Sequence, residues 1–141
     1  MPEKATIARA RADKRAGKSP STQAGEFVKE EMDHIREGKH GAKSAKQAIA
    51  IGLSKARRAG VAIKRKGESA KSKPVRKSTG RVDPERSAGA KRALKKQPRS
   101  AASHTALSRH AHAVARGKTR AERSASARKA ARTRAASATR P

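Results

Sequence analysis

Aromatic, cysteine and large aliphatic residues are all scarce in this chain of 141 residues. Phe27 is the single aromatic residue, and the lack of cysteine excludes disulfides and thiolate metal sites. Leu, Ile, Val and Phe number 14, about a tenth of the chain, whereas highly charged chains below roughly 20% are expected to be disordered. The sequence therefore predicts a small ordered unit with flexible arms, and a core too small to shape a substrate cavity.

Acidic residues are few as well. The chain has 11 of them against 38 Lys and Arg, which gives a net charge of +27. It has no glycine-rich phosphate loop, nucleophile elbow or carboxylate pair with a credible pocket, so we expect no enzyme, no cofactor and no small-molecule substrate. No apolar run of about 18 residues and no signal-peptide core occurs, which predicts a cytoplasmic protein without a membrane partner.

The stretch 21–63 is the exception, because it combines large apolar side chains with helix start and stop signals. It predicts a helix over 21–38 and a second helix over 44–60, joined by a loop. The predicted fold class is small and all-α: a helix–loop–helix hairpin with largely disordered or weakly helical basic arms. Residues 1–20 are predicted to be a flexible basic arm.

The chain beyond the hairpin lacks such signals. Gly, Ser, Pro and basic residues without periodicity predict a linker over 64–85. Residues 86–141 are predicted to be an Ala/Lys/Arg-rich basic tail, with weak helices near 86–96 and 100–116. Alanine favours helix in this tail, but repulsion between basic side chains opposes it.

The ends of the two hairpin helices are marked by residues with known capping roles. Ser21 or Thr22 is the predicted N-cap of the first helix, and Gly38 is its predicted stop. Ser44 starts a capping-box pattern for the second helix, and Gly60 is the predicted stop.

Small residues repeat at four-residue spacing on the second helix, at Ala48, Gly52 and Ala56. A glycine within a helix costs about 1 kcal/mol relative to alanine, so close approach of another helix backbone is the expected compensation. We predict that this stripe is an interaction face, and that a homodimer forms through helix 44–60.

Acidic residues form a stripe on the first helix, at Glu26, Glu30, Asp33 and Glu37. Three interpretations are open. The stripe can be a solvated face, an interaction face that makes helix 22–37 a protein-binding adaptor, or an internal mimic of DNA that folds back on the basic tail.

The basic tail is the strongest functional signal. Residues 64–141 carry 24 cations and 4 acids, and lysines and arginines along a polyanion release condensed counterions whatever the base sequence. Because this segment has no aromatic residue for base stacking, contacts to the phosphate backbone are predicted, with DNA favoured over RNA. The predicted nucleic-acid contacts are Lys39, Lys43, Lys46, Lys55, Arg57, Arg58, Arg92, Lys95, Lys96, Arg128, Lys129, Arg132 and Arg134.

The five histidines do not predict a metal site. His110 and His112 lie two residues apart, a poor spacing for two ligands on one helical face, and no cysteine assists. We expect His34, His40 and His104 to be surface residues as well.

The run GEFVKEEMDHIREGKHGAKSAKQAIAIGLSKARRAGV, residues 25–61, carries a family resemblance. Its pattern of EE-x-x-HIREGKHGA followed by KQAIAIGLSKARRAG resembles a family of small, highly basic bacterial proteins catalogued as a domain of unknown function. Residues near 92–111 resemble the tail of that family more loosely. The resemblance implies a bacterial, intracellular protein with a DNA-associated role, and it implies no catalytic residues.

In composition the tail is also similar to histone-H1-like bacterial proteins. The function that we predict is therefore nucleoid-associated, non-sequence-specific DNA binding. An RNA- or ribosome-associated basic protein and a protein-interaction adaptor through the acidic helix 22–37 are the alternatives.

Overall fold

The computed structural model describes residues 2–64 and 83–138. Within these ranges the chain forms α-helices and no strand, which confirms the predicted all-α class. Most of the predicted linker, residues 65–82, lies outside the described residues. The helices are α1 (Lys4–Arg15), α2 (Pro20–Arg36), α3 (Ala45–Arg58), α4 (Pro84–Lys95), α5 (His104–Arg116) and α6 (Arg120–Ala138), with a short 3-10 helix over Arg99–Ala102.

The chain divides into two compact units, Met1–Ala106 and Leu107–Pro141. In the first unit, α2 packs against both α1 and α3. Phe27 of α2 is fully buried, and Ala10 of α1 and Ala56 of α3 belong to the same core cluster. The predicted two-helix hairpin is therefore part of a three-helix packing.

Helix α1 occupies the segment that the sequence predicts to be a flexible arm. Ile7 packs against the core cluster and Ala10, three residues further along the same helical face, is buried in it. The N-terminal residues thus supply apolar surface that the hairpin lacks. One large apolar residue is too weak a periodic signal to predict this packing from the sequence.

The contact between α2 and α3 depends on Gly52. A Cβ atom at this position would lie 2.7 Å from Val28 Cα and 3.1 Å from the Phe27 carbonyl oxygen. The predicted close approach of a helix backbone therefore takes place, and the approaching helix is α2 of the same chain.

Several of the predicted helix ends are found. Gly38 has φ +80° and Gly60 has φ +91°, in the left-handed region that favours glycine. Each follows its helix with the paired backbone hydrogen bonds of a Schellman motif, Lys39 N to His34 O and Val61 N to Ala56 O among them. Ser44 Oγ accepts from Gln47 N at 3.2 Å, as predicted.

The start of α2 differs from the prediction. The N-cap is Ser19, whose Oγ accepts from Thr22 N at 3.4 Å, and not Ser21 or Thr22. Pro20 takes the first helical position, where its missing N–H costs nothing and its fixed φ suits a helix.

Residues 94–102 dock on the loop between α2 and α3. The backbone N–H of Gly41 donates to Leu94 O at 2.9 Å, and that of Ala42 donates to Pro98 O at 3.1 Å. A Cβ at Gly41 would overlap the Gln97 carbonyl, so only glycine allows this approach. This part of the predicted tail therefore belongs to the first unit, and the predicted helices near 86–96 and 100–116 correspond to α4 and α5.

The second unit contains most of α5 and all of α6. From Ala111 to Lys129 every residue is exposed. Among the residues that the structure describes, no helix combines the length and the apolar character needed to cross a bilayer.

Candidate functional site

Two consecutive residues of α2 have buried carboxylates. Glu31 is fully buried and Glu30 is 4% exposed. Burial of a charged carboxylate costs several kcal/mol unless opposite charges and hydrogen bonds compensate, so the groups around these two residues define the most constrained polar site of the first unit.

Glu30 lies at the N-terminus of α1. Its Oε2 accepts a hydrogen bond of 3.2 Å from the backbone N–H of Glu3, the N-cap residue of α1. The positive end of the helix dipole favours an anion there. Lys55 Nζ lies 3.7 Å from the other oxygen, Oε1.

Glu31 lies between α3 and the loop that follows α2. Lys55 Nζ is 2.7 Å from its Oε2, and His40 Nε2 is 3.3 Å from its Oε1. Neither oxygen accepts a hydrogen bond of good geometry from the described residues. Glu31 is thus a buried carboxylate held by ionic contacts, with lone pairs still unused.

The histidines next to Glu31 are each fixed on their other side. His40 Nδ1 faces the Gly41 carbonyl oxygen at 3.2 Å, and His34 Nε2 faces Glu3 Oε1 at 3.0 Å. One potential ligand atom from each of Glu31, His34 and His40 lies within 4.8 Å of the others. The hydrogen bond from His34, supported by the charge of Lys39, lowers the pKa of Glu3 below its ordinary value.

The sequence predicts surface histidines and not this cluster, and that prediction is wrong for His34 and His40, whose side chains are only 14% and 19% exposed. The signal was available in the spacing of the earlier residues. Glu31 and His34 are three residues apart on one helical face, and the tight stop at Gly38 turns the chain so that His40 comes back beside them.

The acidic stripe of α2 is divided between two environments. Glu26 pairs with Arg9 of α1 at 2.6 Å, and Glu30 is buried. Asp33 pairs with Arg36 at 3.5 Å, and Glu37 with Lys39 at 2.9 Å, both on the surface. The prediction of a solvated face is therefore wrong for Glu30, because α1 covers that part of the stripe. The hydrogen bond to Glu37 raises the pKa of Lys39.

The stripe of small residues on α3 is buried in the chain itself. Ala48 and Ala56 have no exposed surface, and Gly52 contacts the α2 backbone. This corrects the interaction face predicted for the homodimer, since these three residues are already buried within the chain.

The predicted nucleic-acid contacts fall into two groups. Lys55 is held by the buried carboxylates, and Arg57 has a buried Nε atom without a hydrogen-bond partner among the described residues. The Lys55 ammonium is therefore not placed to meet phosphates, which corrects the prediction for that residue, whereas the contact predicted for Arg57 stays a prediction. The other eleven are exposed: Lys39, Lys43, Lys46, Arg58, Arg92, Lys95, Lys96, Arg128, Lys129, Arg132 and Arg134.

Helix α6 carries the largest number of exposed cations among the described helices. Its 19 residues include six Lys or Arg and one acid, Glu122. None of the ion pairs found in the described part of the chain involves these six cations. Glu122 closes a capping box with Thr119, and the hydrogen bonds from the Thr119 N–H and hydroxyl lower its pKa.

Comparison of the chain with known family models, curated proteins and solved structures finds no match. The family resemblance of residues 25–61 consequently stays a prediction.

Proposed function

We propose that this protein binds nucleic acid without sequence specificity, with duplex DNA favoured over RNA, through phosphate contacts of its exposed lysines and arginines. The observation that carries the proposal is α6, a 19-residue helix with six cations, one acid and no buried residue among those whose burial is described. Such a helix has no apolar face to pack against a core. Its surface suits a polyanion.

The chemistry of α6 supports contacts to phosphates and not to bases. Arginine forks and lysine ammonium groups bind phosphate oxygens and release condensed counterions. The helix has no aromatic side chain to stack on an unpaired base. Affinity should therefore be insensitive to base sequence and should fall steeply with salt.

A second group of cations in the first unit supports the same proposal. Lys43 and Lys46 are exposed around the N-terminus of α3, where free backbone N–H groups favour anions. Arg92, Lys95 and Lys96 are exposed at the end of α4. Association with the nucleoid would follow from contacts of this kind.

The test is a salt titration of binding to random duplex DNA and to RNA. The wild type is compared with the variant Arg128→Gln, Lys129→Gln, Arg132→Gln, Arg134→Gln. Four lost contacts should reduce the slope of log K against log [salt] by about 3 to 4 for duplex DNA, since each phosphate contact contributes roughly 0.9.

The matched control keeps the charges and changes the side chains, with Arg128, Arg132 and Arg134 replaced by Lys and Lys129 by Arg. This variant should retain the wild-type slope. Wild-type affinity that is flat between low and moderate salt would refute the proposal. Tighter binding to RNA than to duplex DNA would favour the ribosome-associated alternative.

The acidic surface that the adaptor alternative requires is smaller than the sequence predicts. Of the acidic stripe, Asp33 and Glu37 are the more exposed members, and each already has a basic neighbour. A variant without the α6 charges that still binds another protein would support the adaptor alternative.

A further inference from the structure

The cluster around Glu31 has the composition of a metal site. We propose that Glu31, His34 and His40 bind one divalent transition metal ion of the Zn²⁺ type. Two imidazoles and one carboxylate are a recurrent zinc ligand set, which leaves a fourth position for water or another group.

The spacing of the three residues fits such a site. In a tetrahedral centre with bonds of about 2.0–2.2 Å, ligand atoms lie roughly 3.4 Å apart. His40 Nε2 and Glu31 Oε1 are 3.3 Å apart, and the candidate atoms of all three residues lie within 4.8 Å.

The outer contacts of the histidines match those of metal ligands. A histidine that binds a metal through one ring nitrogen commonly donates the other N–H to a carbonyl or a carboxylate. His40 does so with Nδ1 and the Gly41 carbonyl, and His34 with Nε2 and Glu3 Oε1. These contacts leave one ring nitrogen of each histidine to bind the ion, and for His40 this is Nε2, which already faces Glu31 Oε1.

The charges of the site favour a divalent cation. Glu3, Glu30 and Glu31 carry three negative charges, and Lys55 provides one positive charge at contact distance from the two buried carboxylates. Lys39 reaches Glu3 only at 3.6 Å and lies closer to Glu37. One divalent ion on Glu31 Oε1 would balance the remaining two charges while Lys55 keeps Oε2.

The role that follows is structural. The ion would join α2 to the loop over 39–43, and the N–H groups of Gly41 and Ala42 in this loop hold residues 94–98. Metal binding would thus stabilise the docking of residues 94–102 in the first unit. The inference does not depend on the nucleic-acid proposal.

The test is calorimetric titration of the full chain, without nucleic acid, with ZnCl₂, together with the visible absorption of Co²⁺ as a probe of the ligand set. We expect one equivalent of Zn²⁺ and a rise in the unfolding temperature on addition of Zn²⁺. His34→Ala and His40→Ala should each lower the affinity at least about 100-fold. Glu3→Gln, which changes an outer contact of an exposed residue, should lower it about 10–100-fold.

The controls are His110→Ala and His112→Ala in α5, which should bind Zn²⁺ as the wild type does. The proposal would be overturned if the wild type bound Zn²⁺ no more tightly than His34→Ala does. Loss of Zn²⁺ binding in the α5 variants would overturn it as well. If the alanine variants do not fold, Glu3→Gln decides the question, because unchanged affinity and an unchanged Co²⁺ spectrum in that variant would also overturn it.

Discussion

At the scale of single residues, Lys55 has the most demanding position in the chain. Its ammonium lies within 4 Å of both buried carboxylates, Glu30 and Glu31. No second Lys or Arg of the described residues forms an ion pair with either of them. The stability of the α2–α3 packing should therefore depend strongly on this one charge.

Replacing Lys55 by Met should lower the free energy of unfolding by about 3–5 kcal/mol, the usual cost of leaving a buried charge without its partner. Urea denaturation followed by circular dichroism measures the change. Lys46→Met on the same helix is the control, because Lys46 is exposed, and its effect should stay within about 0.5 kcal/mol. Equal effects of the two substitutions would show that the Lys55 contact contributes nothing.

Lys55 also shows that the partners of a single side chain cannot be predicted from the local sequence. In the sequence it is one basic residue among many, and its charge predicts a contact to nucleic acid. Its actual partners, Glu30 and Glu31, lie 24 or more residues earlier in the chain. The periodicity of α2 places Glu30 on a polar face, but whether that face meets water or another helix depends on tertiary packing, which local sequence does not reveal.

At the scale of helices, the α2–α3 contact is set by the absence of a side chain at Gly52. Gly52→Ala should destabilise the first unit by about 1–3 kcal/mol, because the new Cβ would overlap Val28 and force the helices apart. The gain in helix propensity, about 1 kcal/mol, offsets part of this cost.

Gly25→Ala in α2 is the matched control for this substitution. Nothing lies within 4 Å of a Cβ at Gly25, so the same change should there stabilise the protein by up to about 1 kcal/mol. The two effects on urea unfolding should have opposite signs. A stabilising Gly52→Ala would contradict the close contact.

The helices differ in how well the sequence predicts them. The hairpin helices have periodic apolar residues, caps and glycine stops, and the Gly38, Ser44 and Gly60 signals are confirmed. Helix α1 escapes prediction because its packing depends on Ile7, Ala10 and on pairing with α2, as between Arg9 and Glu26. The docking of residues 94–102 escapes it because backbone hydrogen bonds to Gly41 and Ala42 leave little trace in the sequence.

At the scale of the whole chain, the cations differ in whether a carboxylate pairs with them, and not only in how many each segment carries. Some cations of the first unit pair with acids, as in Arg9–Glu26, Lys18–Asp13 and Lys39–Glu37, whereas others such as Lys43 and Lys46 are exposed. The cations of α6 have no such partners in the described part of the chain. Net charge alone, which is all that composition provides, does not distinguish these two populations.

This difference predicts that the location of a charge decides its effect on DNA binding. The double variant Arg128→Gln, Arg132→Gln should reduce the salt slope for duplex DNA by about 2. The double variant Arg9→Gln, Lys18→Gln removes the same net charge, yet it should leave the slope nearly unchanged, because these two cations are engaged by carboxylates. Such surface pairs contribute little to stability, so both variants should stay folded. Equal slopes for the two variants would mean that net charge, and not the unpaired surface of α6, governs binding.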